Sequence, residues 1–329
     1  MLENENKHTD YIEDIDCKKM RRKYIPGLAS LKFHPEDYWN PHEARRLYES
    51  NCSNKINQDT VIFEDCILGM EKMPPDCVDL VVADPPFGID FSGKDSAYNR
   101  DTNHVIDSYQ EIKTNYPIFT ENWMALIQKI MKPHATAYVF SGWNHLEDVL
   151  RGARLCGLTT INHLIWKYQF GVFTKKKYVT SHYHVLMFVK DSKQYYFNKM
   201  EHYPLDVWDI KRKYKKGEPK NATTLPLEVV KKCIEFSSKP GDVVFDPFMG
   251  MATTGVAAKS VWRHYFGFEI NEKMRPSITK RLDETSLGEG YLPIDEKLKE
   301  IRENTQRKYP MAYKLYLKEY GDSTNVKSL

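Results

Sequence analysis

Short apolar runs rich in β-branched and aromatic residues alternate with helix-like stretches through the middle of this chain. The strand-like runs are Val61 to Phe63, Val78 to Ala83, Ala135 to Phe140, Ile161 to Trp166, His184 to Val189, Val243 to Phe245 and Tyr265 to Phe268. The helix-like stretches are Phe119 to Met131, His145 to Cys156, Leu227 to Phe236, Thr254 to Ser260 and the residues after Asn271. Because strands joined through helices pair in parallel and are covered on both faces, the alternation predicts an α/β fold with a mostly parallel sheet.

The composition is that of an ordinary globular protein. Hydrophobic residues make up 41% and charged residues 28% of the 329 residues, which argues against a disordered or a membrane class for the whole chain. The length accommodates one large α/β domain with appended segments, or two small domains. No apolar run is long enough to cross a bilayer, and the polar start lacks the apolar core of a signal peptide. We therefore expect a cytoplasmic protein without a membrane partner.

The charge balance and the cysteines narrow the functional classes only slightly. The net charge of +3 is too small to identify a nucleic-acid-binding protein, although local basic clusters matter more than the total. The six cysteines lie far apart and form no C-x-x-C pair, which argues against a disulfide framework and a zinc knuckle. We expect them to be reduced and mostly structural.

Three segments interrupt the alternation of strands and helices. They span about residues 92–117, 169–180 and 196–220 and are polar, basic and aromatic. Because long loops at the carboxyl edge of an α/β sheet are where substrates bind, we expect these segments to contact the substrate. The predicted α/β domain covers residues 59–285. It follows an N-terminal extension of unknown role, residues 1–58, and precedes a charged, helical C-terminal extension, residues 286–329.

The strand-like run Val78 to Ala83 ends in an acid, two prolines and an aromatic residue: Asp84, Pro85, Pro86 and Phe87. Proline has a fixed φ and no backbone N–H, so the carbonyl groups here face outward without competing donors. The Asp84 carboxylate and the Pro85 carbonyl can each accept one hydrogen of an –NH2 group, and Phe87 can stack on a planar ring. Two acceptors outside the ring plane would localise the lone pair of an aromatic amine and stabilise its attack. The alternative is an ordinary turn, since Asp and Pro are common turn residues.

A second strand, Val243 to Phe245, leads into Asp246, a glycine-containing turn and a helix, and Glu269 closes the next strand. This arrangement binds nucleotides: Gly250 permits close approach of the ligand, and Glu269 receives ribose hydroxyls. A nicotinamide cofactor satisfies the same pattern. However, the Asp246 carboxylate would repel a pyrophosphate at the helix start, so an adenosyl cofactor that carries an amino-acid cation suits it better.

Together the two motifs resemble those of the amino-group DNA methyltransferases. That family has a catalytic motif [DNS]-P-P-[YF] and a cofactor motif D-x-F-x-G-x-G-T-T, and the matching stretches here are residues 84–87 and 246–254. The catalytic motif comes first, as in the permuted β group of the family. Relatives that methylate protein glutamine or ribosomal RNA place the cofactor motif first. The resemblance covers roughly Thr60 to Arg281, and it implies a Rossmann-like, seven-stranded S-adenosylmethionine-dependent methyltransferase fold with helices on both faces of a mostly parallel sheet.

The resemblance also implies a role for each matching residue. Asp65 would accept a hydrogen bond from the cofactor adenine, and Thr223 and Pro226 lie where relatives hold the methionine end with H-P-T-x-K-P. The candidate catalytic residues are Asp84, Pro85, Pro86 and Phe87. The candidate cofactor-binding residues are Asp65, Cys66, Thr223, Pro226, Asp246, Pro247, Phe248, Gly250, Thr253, Thr254, Glu269 and Asn271.

Two features of the sequence are ambiguous: an alanine where the family has a glycine, and a pair of histidines. Ala252 occupies the position of the family's second glycine; a positive φ there would cost an alanine about 1 kcal/mol, and we expect a negative φ instead. His182 and His184 lie two apart on a strand and share a face, which would allow metal binding. Because no acid or cysteine ligand lies near them in the sequence, we interpret them as structural and expect no metal.

Two lysine-rich runs fall within the interrupting segments. Each is either solvated surface charge or a set of DNA phosphate contacts, and its place in a loop favours phosphate. The candidate DNA-binding residues are Lys175, Lys176, Lys177, Lys211, Arg212, Lys213, Lys215 and Lys216. Aromatic residues interleaved with them are candidates to fill the gap left by an extruded base, namely Tyr168, Phe170, Phe173, Tyr178 and Tyr214.

The sequence therefore predicts a site-specific methyltransferase that acts on an exocyclic amine of a flipped base in double-stranded DNA. In the resembling family, Asp at the position of Asp84 goes mostly with adenine N6 and Ser with cytosine N4. The alternatives are cytosine-N4 methylation, an RNA or protein methyltransferase, and a non-catalytic DNA-binding module. A cognate restriction endonuclease is a candidate partner, and both a monomer and a homodimer remain open. The resemblance further implies a prokaryotic or viral protein associated with the nucleoid.

Overall fold

The computed structural model describes residues 27, 31, 33–51, 55–86, 115–169, 171, 175–212 and 224–320. Its strands are β1 (Thr60–Ile62), β2 (Val78–Ala83), β3 (Met131–Ser141), β4 (Thr159–Lys167), β5 (His182–Val189), β6 (Val207–Asp209), β7 (Val243–Asp246) and β8 (His264–Phe268). Its α-helices are α1 (Pro41–Ser50), α2 (Cys66–Lys72), α3 (Tyr116–Ile130), α4 (Leu146–Leu155), α5 (Leu227–Ser237), α6 (Thr253–Ser260), α7 (Arg275–Glu284), α8 (Ile294–Lys308) and α9 (Pro310–Tyr320). The 3₁₀ turns Trp143–His145 and Glu272–Met274 precede α4 and α7.

All these strands belong to a single mixed sheet, in the order β1-β8-β7-β2-β3-β5-β4-β6. The five neighbouring strands β1, β8, β7, β2 and β3 are parallel to one another. Strand β5 is antiparallel to its neighbours β3 and β4, and β6 is parallel to β4. The predicted α/β class with a mostly parallel sheet is confirmed. The predicted count of seven strands is wrong, because the described ranges contain eight. The extra strand, β6, has three residues and is defined by its pairing with β4 rather than by an apolar run.

Two hydrophobic layers pack on the sheet, and residues of β2 contribute alternately to them. Leu80 and Val82 pack in one layer, together with residues of α5, α6 and α7. Val81 and Ala83 pack in the other, with residues of α2, α3 and α4. Because successive side chains of a strand point to opposite faces, burial of both sets shows that helices cover both faces of the sheet. This explains why β2 is buried at every position and is apolar except at Asp79.

Local signals account for where the helices near the site begin. The Asp65 carboxylate accepts hydrogen bonds from the backbone amides of Ile67 and Leu68 and so caps α2. In α3 the buried side chains Trp123 and Ile127 lie four residues apart, which places both on the face that meets the sheet. Pro226 precedes α5, where its missing N–H leaves no helical hydrogen bond unmade.

Two of the predicted interrupting segments differ from uninterrupted loops where the structure describes them. The segment 92–117 lies mostly outside the described residues, and its last two residues belong to α3. The segment 196–220 contains β6, so it is not an uninterrupted loop.

The chain divides into two compact units. One comprises residues 36–200 and 204–293 and holds the sheet with α1 to α7. The other comprises residues 1–35, 201–203 and 294–329 and includes α8 and α9. The domain boundaries expected from the sequence, at residues 58 and 286, stay a prediction. In the part of the chain that the structure describes, no helix is both long enough and apolar enough to cross a membrane.

Candidate active site

Three acidic residues lie where three neighbouring parallel strands end. Asp84 follows β2, Asp246 is the last residue of β7, and Glu269 follows β8. These strands are adjacent in the order β8-β7-β2 and point the same way. The carboxyl edge of the sheet therefore gathers the acids of the two sequence motifs, at the edge where open α/β sheets bind their ligands.

Asp84 is a half-buried acid whose charge is costly in the absence of a ligand. Burial raises the pKa of its carboxyl to about 7, the nearby Asp246 carboxylate acts in the same direction, and the Arg212 cation acts in the opposite one. Among the described residues, no hydrogen bond contributes to that shift. Pro85 is buried and Pro86 is half-buried. The carboxylate of Asp84 is thus available as an acceptor for a ligand.

Asp246 is buried and makes two hydrogen bonds within its own motif. Its Oδ1 accepts from the Phe248 backbone amide at 2.9 Å, and its Oδ2 accepts from the Thr254 hydroxyl at 2.6 Å. Burial and the neighbouring Glu269 carboxylate outweigh these hydrogen bonds and raise the pKa of Asp246 to about 7. The motif therefore holds this carboxyl rigidly in a place that disfavours negative charge until a cation arrives.

Glu269 connects the end of β8 to the turn after β7. Its Oε2 accepts a hydrogen bond from the Gly250 amide at 2.8 Å, and its Oε1 accepts from the Asn271 amide at 2.8 Å. Each oxygen keeps a further lone pair for a ligand. The pKa of Glu269 is raised by burial.

The turn between β7 and α6 uses two residues with a left-handed backbone. Gly250 has φ +51°, and Ala252 has φ +57° and ψ +34°. The expected negative φ at Ala252 is wrong: the turn needs the same backbone conformation as a glycine there, and the alanine adopts it at a cost of about 1 kcal/mol. Ala252 is fully buried, so its methyl group contributes apolar contacts that offset part of this cost.

The helix α2 brings Asp65 and Cys66 to the same region. The Asp246 carboxylate is among the charges that raise the pKa of the Cys66 thiol, which lies at about 12 mainly because of burial. Cys66 is therefore an uncharged, buried side chain. The remaining candidate cofactor residues Pro247, Phe248, Thr253 and Asn271 surround the same turn. Of these, Phe248 packs edge-on against Trp123 of α3, with 5.4 Å between ring centroids.

The basic candidates are placed differently from one another. Lys175, Lys176, Lys177 and Lys211 are exposed, as phosphate contacts would have to be. Arg212 is half-buried, and its guanidinium lies over the Trp166 ring. This placement was missed from the sequence, where Arg212 reads as one more member of a basic run. Phe87, Thr223, Lys213, Lys215 and Lys216 lie outside the described residues, as do Phe170, Phe173 and Tyr214.

The two histidines of β5 contact a third on β4. His163 Nε2 lies 2.7 Å from His184 Nδ1, and the His182 and His184 rings are 5.1 Å apart. Burial and the neighbouring His163 and His182 lower the pKa of His184 to about 4. Among the described residues, no group of three or more metal-binding side chains forms a site.

The site has the chemistry that S-adenosylmethionine requires. That cofactor carries a sulfonium and an ammonium cation, which match buried carboxyls whose ionisation is otherwise disfavoured. A side chain at Gly250 would meet only the Phe248 carbonyl, at 3.8 Å, so space adjoins the backbone at this turn. Asp246 and Glu269 line that turn through their hydrogen bonds. The residues at this site therefore fit S-adenosylmethionine.

A profile of the N6/N4 DNA methylase family matches residues 78–280. The chain belongs to this family. The match includes both sequence motifs and seven of the eight described strands, β2 to β8. The protein is an S-adenosylmethionine-dependent DNA methyltransferase, and DNA is its substrate.

Similar proteins include two bacterial methyltransferases. The chain is 29% identical to the DNA adenine methyltransferase YhdJ of Escherichia coli (strain K12) over 259 residues, which are 69% of this chain and 83% of that protein. It is 26% identical to the type II methyltransferase M.HpaI of Haemophilus parainfluenzae over 258 residues, 73% of this chain and 78% of that one.

Two solved structures share the fold. The complex of M1.HpyAVI with S-adenosylmethionine aligns with a TM-score of 0.52 and 21% identity, over 68% of this chain and 98% of that one. The cytosine-N4-specific PvuII DNA methyltransferase aligns with a TM-score of 0.55 and 15% identity, over 77% and 94%. The predicted Rossmann-like methyltransferase fold is confirmed.

Proposed function

We propose that this methyltransferase modifies the N6 amine of adenine within a specific site in duplex DNA. The observation that supports it most is the half-buried Asp84 carboxyl at the end of β2, free of hydrogen bonds from the described chain and next to the acids of the cofactor turn. The similarity to YhdJ, named an adenine methyltransferase, points to the same base.

In the proposed reaction Asp84 and Pro85 act on the amine of the target base. The Asp84 carboxylate accepts one amine hydrogen and the Pro85 carbonyl accepts the other, which localises the nitrogen lone pair as it attacks. S-adenosylmethionine supplies the activated methyl group when it is bound. The nitrogen would gain the methyl group as its bond to the cofactor sulfur breaks and leaves a neutral thioether, and the nitrogen would lose one proton, for which the Asp84 carboxylate is the adjacent acceptor. Phe87 would stack on the base.

The acids of the neighbouring strands would hold the cofactor. Asp65 would receive the adenine amine and Glu269 the ribose hydroxyls, while Asp246 lies where a cationic group is favoured. Gly250, Thr253, Thr254 and Asn271 shape the turn that carries these contacts. Thr223 and Pro226 would bind the methionine end.

The target base would have to leave the duplex to reach Asp84. We infer that the exposed lysines of the segment 175–177 and the exposed Lys211 hold the phosphate backbone above the carboxyl edge. Tyr178, which is almost fully exposed beside the first of these runs, is a candidate to occupy the space of the extruded base. A cognate restriction endonuclease and a cytoplasmic location are also part of this proposal.

The base assignment is tested by the product. DNA is methylated by the purified protein, digested to nucleosides and analysed by mass spectrometry, and we expect N6-methyladenine. N4-methylcytosine without N6-methyladenine would overturn the adenine assignment and leave the amino-methyltransferase chemistry in place. A parallel reaction with RNA separates the two nucleic acids.

The residue roles are tested by two conservative variants. We expect Asp84→Asn to lower kcat by roughly 100-fold or more, because it removes a charged acceptor present in the transition state, while calorimetry shows little change in cofactor affinity. Glu269→Gln should instead weaken cofactor binding. Equal loss of cofactor affinity in both variants would show that the two sites are assigned wrongly.

A further inference from the structure

Arg212 lies on the segment that follows β6, and three aromatic rings contact its side chain. Its guanidinium carbon is 4.7 Å from the centroid of Trp166, 5.1 Å from that of Tyr168 and 5.5 Å from that of Tyr183. Trp166 is buried in β4, and Tyr183 belongs to the adjacent strand β5. A planar cation stacked on such rings is held in one orientation, unlike a lysine ammonium on a flexible stem.

The backbone of Arg212 is fixed as well. Gln169 Nε2 donates to the Arg212 carbonyl at 2.9 Å, and the Arg212 amide donates to Gln169 Oε1 at 3.0 Å. Arg212 Nη1 also donates to the Thr224 carbonyl at 3.4 Å, in the segment that precedes α5. These contacts connect the ends of β4 and β6 to the start of α5 across the carboxyl edge.

The charge of Arg212 acts on Asp84. Among the described residues, the charges that shift the pKa of this carboxyl are Asp246 of β7, which raises it together with burial, and Arg212, which lowers it. Glu269 acts in turn on Asp246. The preceding residue, Lys211, is exposed and is not among the charges that shift the pKa of Asp84. One of two adjacent basic residues is therefore directed inward and the other outward.

We propose that Arg212 is a positioning residue of the methyl-transfer site, held by aromatic rings and Gln169 so that its cation sustains Asp84 as a carboxylate acceptor, and that it is not a contact to DNA phosphate. This inference rests on the proposed role of Asp84. It separates Arg212, which is directed inward and serves the chemistry, from the exposed Lys211, which meets the phosphate backbone.

The direct test measures the titration of Asp84 in the protein without DNA. The carboxyl carbons of aspartate are labelled with ¹³C, the Asp84 signal is assigned by its absence in Asp84→Asn, and its midpoint is followed by NMR. We expect Arg212→Met to raise the midpoint by about one pH unit. The matched control Lys211→Met should leave it unchanged. An unchanged midpoint in folded Arg212→Met would overturn the proposal.

Two further variants keep the test decisive if Arg212→Met does not fold. Arg212→Lys retains the charge without the planar stack and should raise the midpoint by a smaller amount. Gln169→Ala removes the hydrogen bonds that hold the Arg212 backbone but leaves the arginine, and this variant should also raise the Asp84 midpoint. No shift in both would overturn the proposal.

Kinetics separate this role from a phosphate contact. We expect the acid limb of the kcat profile, with both substrates saturating, to move to higher pH in Arg212→Met and not in Lys211→Met. If Arg212 instead contacts phosphate, both variants will flatten the salt dependence of DNA binding equally and neither will move the acid limb. The NMR result does not depend on which base is methylated, so failure of the adenine assignment is distinguishable from failure of this inference.

Discussion

At the scale of single residues, the site combines acids that are poorly ionised without a ligand. Asp84 and Asp246 each have a pKa raised to about 7, largely through burial. A raised carboxyl pKa means that the folded protein binds protons which the unfolded chain releases. The associated stability is therefore fully present below about pH 4 and is lost as the pH rises through 7. Function is favoured over stability at these positions.

The first prediction concerns Asp84. At pH 8 the Asp84→Asn variant should be more stable than the unliganded wild type by about 1 to 2 kcal/mol. A shift of three pKa units represents roughly 4 kcal/mol, and the expected gain is smaller because solvent screens the half-buried side chain. At pH 4, where the carboxyl is neutral, the two should be equal. Chemical denaturation at both pH values measures this. The exposed matched control Asp283→Asn should show no such difference, and equal stability of Asp84→Asn and wild type at pH 8 would contradict the prediction.

The second prediction concerns Ala252. Its left-handed backbone makes glycine favourable by about 1 kcal/mol, and loss of its buried methyl group costs about 0.8 kcal/mol. Ala252→Gly should therefore change stability by less than about 0.5 kcal/mol. The matched control Ala257→Gly, equally buried but inside α6, should cost about 1 to 2 kcal/mol. Similar losses for both variants in thermal unfolding would argue against the left-handed backbone.

At the scale of secondary-structure elements, the ends of the strands decide what each loop can do. β7 ends in an acid and β2 and β8 are each followed by one, whereas β4 leads toward the segment that carries Lys175 to Lys177. The central strands were predictable because they are largely apolar and are buried on both faces. β6 was not, because two of its three residues are exposed and its formation depends on an existing partner, β4.

The third prediction concerns the exposed lysines before β5. Replacement of Lys175, Lys176 and Lys177 by alanine should weaken DNA binding and lower the slope of log affinity against log salt by about 2 to 3, since each lost phosphate contact removes roughly 0.9. Fluorescence anisotropy over a range of salt measures the slope. Lys193→Ala, exposed in the turn beyond the other end of β5, serves as the control. An unchanged slope in the triple variant would return these lysines to solvated surface charge.

At the scale of the whole molecule, folding gathers the acids of separate motifs into one place and cofactor binding should compensate them. The Asp246 carboxylate lies between the other two in this respect, since its charge is repelled by that of Glu269 and raises the pKa of Asp84. A bound sulfonium and ammonium would lower the pKa values of the two cofactor-site acids, Asp246 and Glu269, so ligand binding and proton release are linked.

The fourth prediction follows from this linkage. The affinity for S-adenosylmethionine should fall by roughly tenfold between pH 8 and pH 6, because protons compete with the cofactor for the carboxyls. Titration calorimetry measures the affinity. S-adenosylhomocysteine, which lacks the sulfonium charge, should show a weaker pH dependence. An affinity that is independent of pH, or that rises as the pH falls, would contradict the prediction.

The sequence by itself determined the fold class and the two motifs, because both are local patterns: an apolar run followed by Asp84-Pro85, and a strand that enters a turn before α6. The hydrophobic pattern of a strand and the turn residues that end it do not depend on distant contacts. Only the tertiary structure decided the backbone of Ala252, the pairing of β6 and the side of the chain to which Arg212 turns. Arg212 meets Trp166 and Tyr183 only after β4, β5 and β6 have paired. Its environment is set by residues that are far away in the chain, so a basic run in the sequence does not distinguish it from its neighbour Lys211.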